Sequence, residues 1–307
     1  MGWTADDIPT LTGRRAIVTG ANSGIGYHTA LELARRGATV VLACRSAERG
    51  RAALDRIRAE LPEASVALGS LDLSSLESVR AFAADQGGPL DILVNNAGVM
   101  ALPWQTTADG FEMQFGTNHL GHFALTGLLL PALLQGLSEG RDPRVVTVTS
   151  MAAWGGHIRF DDLQGERSYH RWPAYCQAKL ANLLFAKELD RRVGGLTSVA
   201  AHPGYASTNL QQAAPRELGS KLRDKGYGVA NALFGQSAAA GALPTLYGAT
   251  APQVRGGECY GPRGPFQQRG LPTKVRTTSQ AGKPELARKL WEVSEDLTGV
   301  TYDVKAP

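Results

Sequence analysis

Short β-branched and apolar runs alternate with helix-patterned stretches as far as Pro203, and that alternation leaves few folds open. Strand patterns fall at 16–19, 39–44, 66–71, 92–94, 145–149 and 198–201. Between them, helical periodicity covers 27–36, 47–60, 76–84, 109–134 and 174–193. The strand runs are apolar throughout rather than alternating, as expected of strands covered on both faces. The pattern predicts an α/β fold, a doubly wound parallel sheet with its ligand crevice at the carboxyl ends of the strands. After Pro203 the rhythm weakens. Residues 205–250 read as a small, mostly helical, Ala- and Gly-rich region that covers the substrate. Residues 251–307 read as a strand, a Gly/Pro-rich loop and a helix over 284–296 with Leu286, Leu290 and Val293 on one face. No internal repeat interrupts the chain, so 1–307 reads as one domain, with 10–204 as its cofactor-binding and catalytic core.

A strand-to-helix turn in this pattern carries Thr19-Gly20-Ala21-Asn22-Ser23-Gly24-Ile25-Gly26. The spacing G-x-x-x-G-x-G departs from the commoner dinucleotide fingerprint, but the physics is the same. Gly20 permits a tight turn, Gly24 lets backbone approach a pyrophosphate, and Gly26 lets helix and strand pack closely. The helix N-terminus offers free N–H groups and a positive dipole, with Ser23 and the Ile25 N–H placed to donate. It reads as the cofactor turn of a Rossmann-type fold; a glycine-rich turn with no ligand is the other reading. Arg45 follows the second strand, where such folds usually carry an acid for the ribose 2′-hydroxyl. An arginine there suits the 2′-phosphate of NADP, so NADP (NADPH) is expected in preference to NAD; a solvated surface arginine is the other reading. Asp72, with the Leu73 backbone beside it, is placed either to accept from an adenine amino group or to cap the helix ahead of Leu76. Asn96, Ala97 and Gly98, after the strand at 92–94, can line the adenine ribose.

Tyr175 and Lys179 stand at i and i+4 and share one helix face. A free tyrosine ionises near pH 10, so an acid/base poised near neutrality needs roughly 4 kcal/mol of preference for the phenolate. A nearby ammonium supplies part of that, and Lys179 can also hold nicotinamide ribose hydroxyls. Ser150, at the end of the strand 145–149, can orient a substrate oxygen. Asn118 lies inside a helical pattern where asparagine is a poor helix former; it is read either as the anchor of a relay water or as a satisfied core amide. The Pro203 carbonyl and the Thr208 hydroxyl can meet a nicotinamide carboxamide. Trp154, Trp172 and Tyr205 either line a pocket or pack, and Cys176 reads as a small buried hydrophobe.

Together these residues resemble the short-chain dehydrogenase/reductase family. The resemblance rests on Thr19-Gly20-x-x-x-Gly24-x-Gly26, Asn95-Asn96-Ala97-Gly98, Asn118, Ser150, Tyr175-x-x-x-Lys179 and Pro203-Gly204, in that order. It implies a seven-stranded parallel sheet and a catalytic tetrad of Asn118, Ser150, Tyr175 and Lys179. In that tetrad Tyr175 is the acid/base, Ser150 positions the carbonyl, Lys179 binds ribose and lowers the tyrosine pKa, and Asn118 holds a water. The stretch from Ser150 to Tyr175 is longer than the family commonly shows. With Asn118-His119-Leu120-Gly121-His122-Phe123 it is similar to the retinol dehydrogenase-like branch, which includes the WW-domain oxidoreductases and is akin to the protochlorophyllide reductases. Ala43-Cys44-Arg45 is similar to its NADP-preferring members. No membrane anchor or WW domain is read before the glycine loop, which points to a soluble, bacterial-type member. Because the family is often dimeric or tetrameric, a homo-oligomer is one expectation.

Composition narrows the partners. The net charge is +4 with no basic run, which argues against nucleic acid. Three cysteines, Cys44, Cys176 and Cys259, show no disulfide framework or zinc spacing, and the histidines show no metal pattern. A cytoplasmic location and no catalytic metal are therefore expected. The opening residues carry Asp6, Asp7 and Pro9 and do not read as a signal peptide. The greasiest stretch, 123–134, is too short to span a bilayer. The expected function is NADP-dependent hydride transfer between nicotinamide and a carbonyl or alcohol carbon of an apolar small molecule. The alternatives are reduction of a carbon–carbon double bond, as in the protochlorophyllide branch, and a silent NADP-binding sensor.

Overall fold

The computed structural model describes residues 2–205 and 236–303. Eight strands form one sheet: β1 (Arg15–Thr19), β2 (Thr39–Cys44), β3 (Val66–Ser70), β4 (Ile92–Asn95), β5 (Arg144–Val148), β6 (Thr197–Ala201), β7 (Cys259–Pro262) and β8 (Pro272–Lys274). Their spatial order is β3-β2-β1-β4-β5-β6-β7-β8. All neighbours pair in parallel except β7 and β8. The order reverses between β1 and β4, so a crevice opens there at the carboxyl ends of the strands. The expected seven parallel strands are thus present, and an eighth, antiparallel strand extends the edge. Pro272 sits on that edge strand, where its missing N–H costs the sheet nothing.

The strands' side chains divide by turn between two cores. Ala16, Val18, Val40 and Leu42 face α1 (Gly24–Arg35), α2 (Ala47–Glu60) and α6 (Ala238–Thr250). Ile17, Val41, Leu93 and Val145 face α3 (Leu76–Ala84), α4 (Met113–Ser138) and α5 (Arg171–Arg192). The two-residue period of a strand does this division, and covering both faces removes the need for a polar position. The final helix, α7 (Pro284–Thr298), lies over α5 and α4. It buries Ala287, Leu290, Trp291 and Ser294 rather than the expected Leu286–Leu290–Val293 stripe. Trp291 rotates the seam, because it inserts into an aromatic cluster with Phe123, Phe185 and Tyr302.

One expected helix is built differently. The pattern predicts a helix from Asp109, but Asp109 accepts from the Leu76 N–H and Gly110 takes φ 85°, so the chain turns instead. The helix begins at Met113, capped by the Glu112 carboxylate, and runs through a π-turn at Gly116–Leu120 before regular α-helix over Gly121–Ser138. At 26 residues it is longer than the apolar run inside it, and by length and composition it could cross a membrane. Of its apolar window, 61% is buried within this fold. Of the expected helical region 205–250, α6 accounts for its last part, and 206–235 lie outside the described residues.

Candidate active site

The helix that follows the glycine loop differs from its neighbours at its first turn. Ser46 and Ser75 cap α2 and α3 by accepting from Arg49 N–H and Ser78 N–H. Ser23 stands at the same position before α1 and makes no side-chain cap bond. The first N–H groups of α1 are therefore left for another acceptor. Gly20 and Gly24 take φ 65° and 56°, which a side chain would resist. A Cβ on Gly26 would lie 2.5 Å from the Gly20 carbonyl oxygen and 2.5 Å from Asn96 Nδ2, so only glycine permits this approach. The resulting cradle, with free donors and bare backbone, fits a dinucleotide pyrophosphate.

The other predicted cofactor residues among those described lie beyond the carboxyl ends of β2, β3, β4 and β6. Arg45 is exposed beyond β2, and its guanidinium has no partner among the described residues. Asp72 does not cap α3, which is the work of Ser75; its Oδ1 accepts from the Ser74 N–H and hydroxyl at 2.9 and 2.6 Å. The Leu73 carbonyl packs directly on Gly121, where a Cβ would come within 2.4 Å of its oxygen. Asn96 donates from Nδ2 to the Thr19 carbonyl, and the Asn96 and Ala97 N–H groups both donate to Thr19 Oγ1 at 2.9 Å. Gly98 passes so close to Asn118 that a Cβ there would lie 2.9 Å from its Oδ1 and 3.5 Å from Lys179 Nζ. The Pro203 carbonyl accepts from Gln236 Nε2. Thr208 lies outside the described residues.

Ser150 lies two residues past β5, at the cap of a short 3-10 turn, and accepts the Ala152 N–H at 3.2 Å, which leaves its hydroxyl proton free to reach Tyr175. Tyr175 and Lys179 are both buried on α5, with Nζ 5.9 Å from the phenol ring centre. Burial raises the Tyr175 phenol to about 12, opposed by the Ser150 hydrogen bond. Lys179 was expected to supply only part of the shift toward neutrality, and in the protein by itself desolvation is the larger effect. Burial also lowers Lys179, to about 8. Its Nζ donates one hydrogen bond, to the Val148 carbonyl at 3.1 Å, and an ammonium has two more to give.

Asn118 sits in the π-turn, and both ends of its amide are hydrogen-bonded. Oδ1 accepts the Val99 N–H at 2.7 Å and Nδ2 donates to the Val99 carbonyl at 2.9 Å. Its backbone carbonyl meets His122 Nδ1 at 2.9 Å. In the sequence His122 stands out only as part of the Asn118–Phe123 stretch that carries the resemblance, with no role of its own. The missed signal was its spacing: i+4 on a helix lays the imidazole back over the Asn118 carbonyl.

The segment between Ser150 and Tyr175 folds onto α5. The Arg159 N–H donates to Gln177 Oε1, and Gln177 Nε2 donates to the Leu163 carbonyl. Tyr169 donates to the Leu102 carbonyl and accepts from Gln114 Nε2, tying the segment to the start of α4. A cleft of about 580 Å³ opens here, lined by Pro103, Tyr169, His170, Arg171, Trp172 and Pro173. Trp172 meets the Tyr175 ring edge-on at 6.2 Å. Cys176 is half-buried against Gly155.

Comparison with known proteins agrees with this geometry. The family described as short chain dehydrogenase matches residues 14–219. Human Retinol dehydrogenase 13 is 44% identical over 299 residues, covering 95% of this chain and 86% of that protein. Human Retinol dehydrogenase 11 is 39% identical, covering 95% and 88%. A crystal structure of an uncharacterized Mycobacterium paratuberculosis protein is 43% identical with a TM-score of 0.81, covering 99% of this chain and all of that one. A Beutenbergia cavernae protein assigned as an NAD(P) dependent gluconate 5-dehydrogenase, with bound NADP, is 26% identical with a TM-score of 0.60. It covers 78% of this chain and 91% of its own.

Proposed function

Because the chain belongs to the short chain dehydrogenase family, we propose that it is an NADP-dependent oxidoreductase acting between an alcohol and a carbonyl on an apolar substrate, with Tyr175 as general acid/base. The observation that carries this reading is the convergence of Ser150, Tyr175 and Lys179 on the crevice whose other wall is the uncapped first turn of α1. When bound, the nicotinamide carries the hydride.

The chain's own residues handle position and the proton. Ser150 orients the substrate oxygen toward the phenol. Tyr175, raised by burial, holds its proton at neutral pH and is suited to donate it to a carbonyl oxygen during reduction. Running as a base in oxidation requires added positive charge nearby. Lys179 supplies part of that charge, and its two spare N–H groups suit ribose hydroxyls. The exposed Arg45 suits a 2′-phosphate. Trp172 and the prolines of the adjoining cleft offer an apolar wall, in keeping with relatives named retinol dehydrogenases. In this reading α4 is a core helix rather than a membrane span, and the free cysteines suit a reducing cytoplasm.

The test has two arms. NADPH and NADH are titrated against the protein by reduced-nicotinamide fluorescence, and Tyr175→Phe is assayed across apolar aldehydes and alcohols. Tight NADPH binding with turnover lowered about 10²–10⁴-fold in the variant supports the proposal. Binding of neither nucleotide, or full turnover without the phenol, overturns it.

A further inference from the structure

The buried polar groups between β1 and α4 form a closed set of hydrogen bonds with one consistent arrangement of protons. Thr19, Asn118 and His122 are each 1% exposed or less. The Asn118 carbonyl can only accept, so the His122 Nδ1 that meets it must carry the hydrogen. In a neutral imidazole, Nε2 is then bare and needs a donor. The atom facing it is Thr19 Oγ1, at 2.9 Å. Thr19 also has the Val94 carbonyl within 3.3 Å, but that contact is longer, and giving the hydroxyl proton to it would leave two acceptors facing each other. With its proton on His122, the Thr19 oxygen accepts the Asn96 and Ala97 N–H groups, both at 2.9 Å.

The direction of donation is therefore Asn96 and Ala97 N–H to Thr19, Thr19 to His122, and His122 to Asn118. The Asn118 amide closes the ring by gripping both backbone groups of Val99. Enclosed by that ring is Gly98, where an added Cβ would lie 3.5 Å from Lys179 Nζ.

We propose that His122 is a positioning residue, locked as the Nδ1–H tautomer, that sets the 96–99 backbone against Lys179 by joining Thr19 to Asn118. Its effect on cofactor rests on the oxidoreductase reading above; the bridge itself does not. A protonated imidazole would reverse the Thr19 hydrogen bond, and burial with the charge of Lys179 disfavours that form. His119, its neighbour in sequence, has a different task. Its Nε2 reaches Ser294 on α7, far from this ring in the chain.

The experiment combines a spectroscopic and a binding readout on the full chain. In a ¹⁵N-histidine two-bond correlation spectrum at about pH 7, the resonance missing from His122→Gln should carry the Nδ1–H pattern. An Nε2–H or imidazolium pattern overturns the bridge. NADPH titration should show binding weakened about tenfold in His122→Leu, which removes both hydrogen bonds. His122→Gln keeps one N–H and one acceptor and should recover binding to within about threefold of the natural protein. Leucine binding NADPH unchanged, or glutamine no better than leucine at an equal melting temperature, overturns the positioning role. Should His122→Leu fail to fold, the tautomer and the glutamine variant still decide. A natural protein that binds neither NADPH nor NADH would count against the oxidoreductase reading, and the tautomer would then decide the bridge.

Discussion

At the wall of the crevice built from β1, β4 and α4, Thr19, Asn95, Asn118 and His122 are almost wholly buried; Thr19, Asn118 and His122 bond to backbone or to one another, and Asn95 donates to the Thr126 hydroxyl. At the facing wall, between Ser150 and Tyr175, Trp154 and Trp172 are 50% and 54% exposed. Apart from the Asn95 Oδ1, the polar side chains of the first wall find partners within the fold and gain rigidity from it, since a buried polar atom without a partner costs about 1–3 kcal/mol. The second wall leaves two large aromatic side chains about half in water. The contrast separates a cradle of fixed shape from a surface that can change with substrate.

The largest expected effect is at the cradle. Gly26→Ala places a methyl group 2.5 Å from backbone at Gly20, so the loop must shift. Overpacking of this kind costs about 1–3 kcal/mol, and NADPH binding should be lost with it. An alanine variant with an unchanged denaturation midpoint and unchanged binding would break the idea of a rigid cradle.

Acid tests the same wall. Burial lowers His119 to about 3 and His122 to about 4, from an ordinary value of 6.5. Both are neutral in the fold, so below about pH 6.5 the unfolded chain binds protons first. Their contribution is fully present above pH 6.5 and is lost as pH falls toward the folded values, an effect of order several kcal/mol. Melting temperature measured between about pH 7 and pH 4 should drop steeply, and His119→Phe should flatten the slope. An equal slope in the variant would remove His119 from the account.

Arg45→Gln sharpens the comparison from the cofactor side. If Arg45 bonds the 2′-phosphate as proposed, NADPH binding should weaken about tenfold with NADH binding little altered, because a charge-assisted bond is removed from NADPH alone. Equal weakening of both nucleotides would assign Arg45 a general role instead. The smallest effect on stability belongs to the open wall. Trp172→Ala should change the unfolding free energy by less than about 0.5 kcal/mol, since the side chain is mostly in solvent. It should nonetheless raise KM across apolar aldehydes and alcohols. A change in stability with no change in KM would mean that Trp172 packs rather than receives substrate.

Much of the molecule was legible in the residues. The boundaries of β2, α2 and α3 match the sequence pattern residue for residue, because apolar runs and caps such as Ser46 and Ser75 act within one turn or strand. The glycine loop was legible for the same reason. What stayed hidden involved partners distant in the chain. Asp109 reads as a helix start until the Leu76 N–H claims its carboxylate. The α7 face shifts because Trp291 finds Phe123 and Phe185. Tyr175 and Lys179 read as a charge-tuned pair, yet burial, which sequence does not display, dominates both.

By itself, the sequence determined the alternation of strands and helices, the tight turn at Gly20–Gly26 and the shared face of Tyr175 and Lys179. Each of these follows from periods of two to four residues and from the dihedral freedom of glycine. Only the tertiary structure decided the edge strand β8, the tautomer of His122 and the enclosure of Gly98. The Thr19–His122 contact joins residues 103 apart, and the Asn96–Thr19 bond residues 77 apart. Such pairings exist because strand order sets β1 beside β4 and packs α4 across them, and no local period encodes that order.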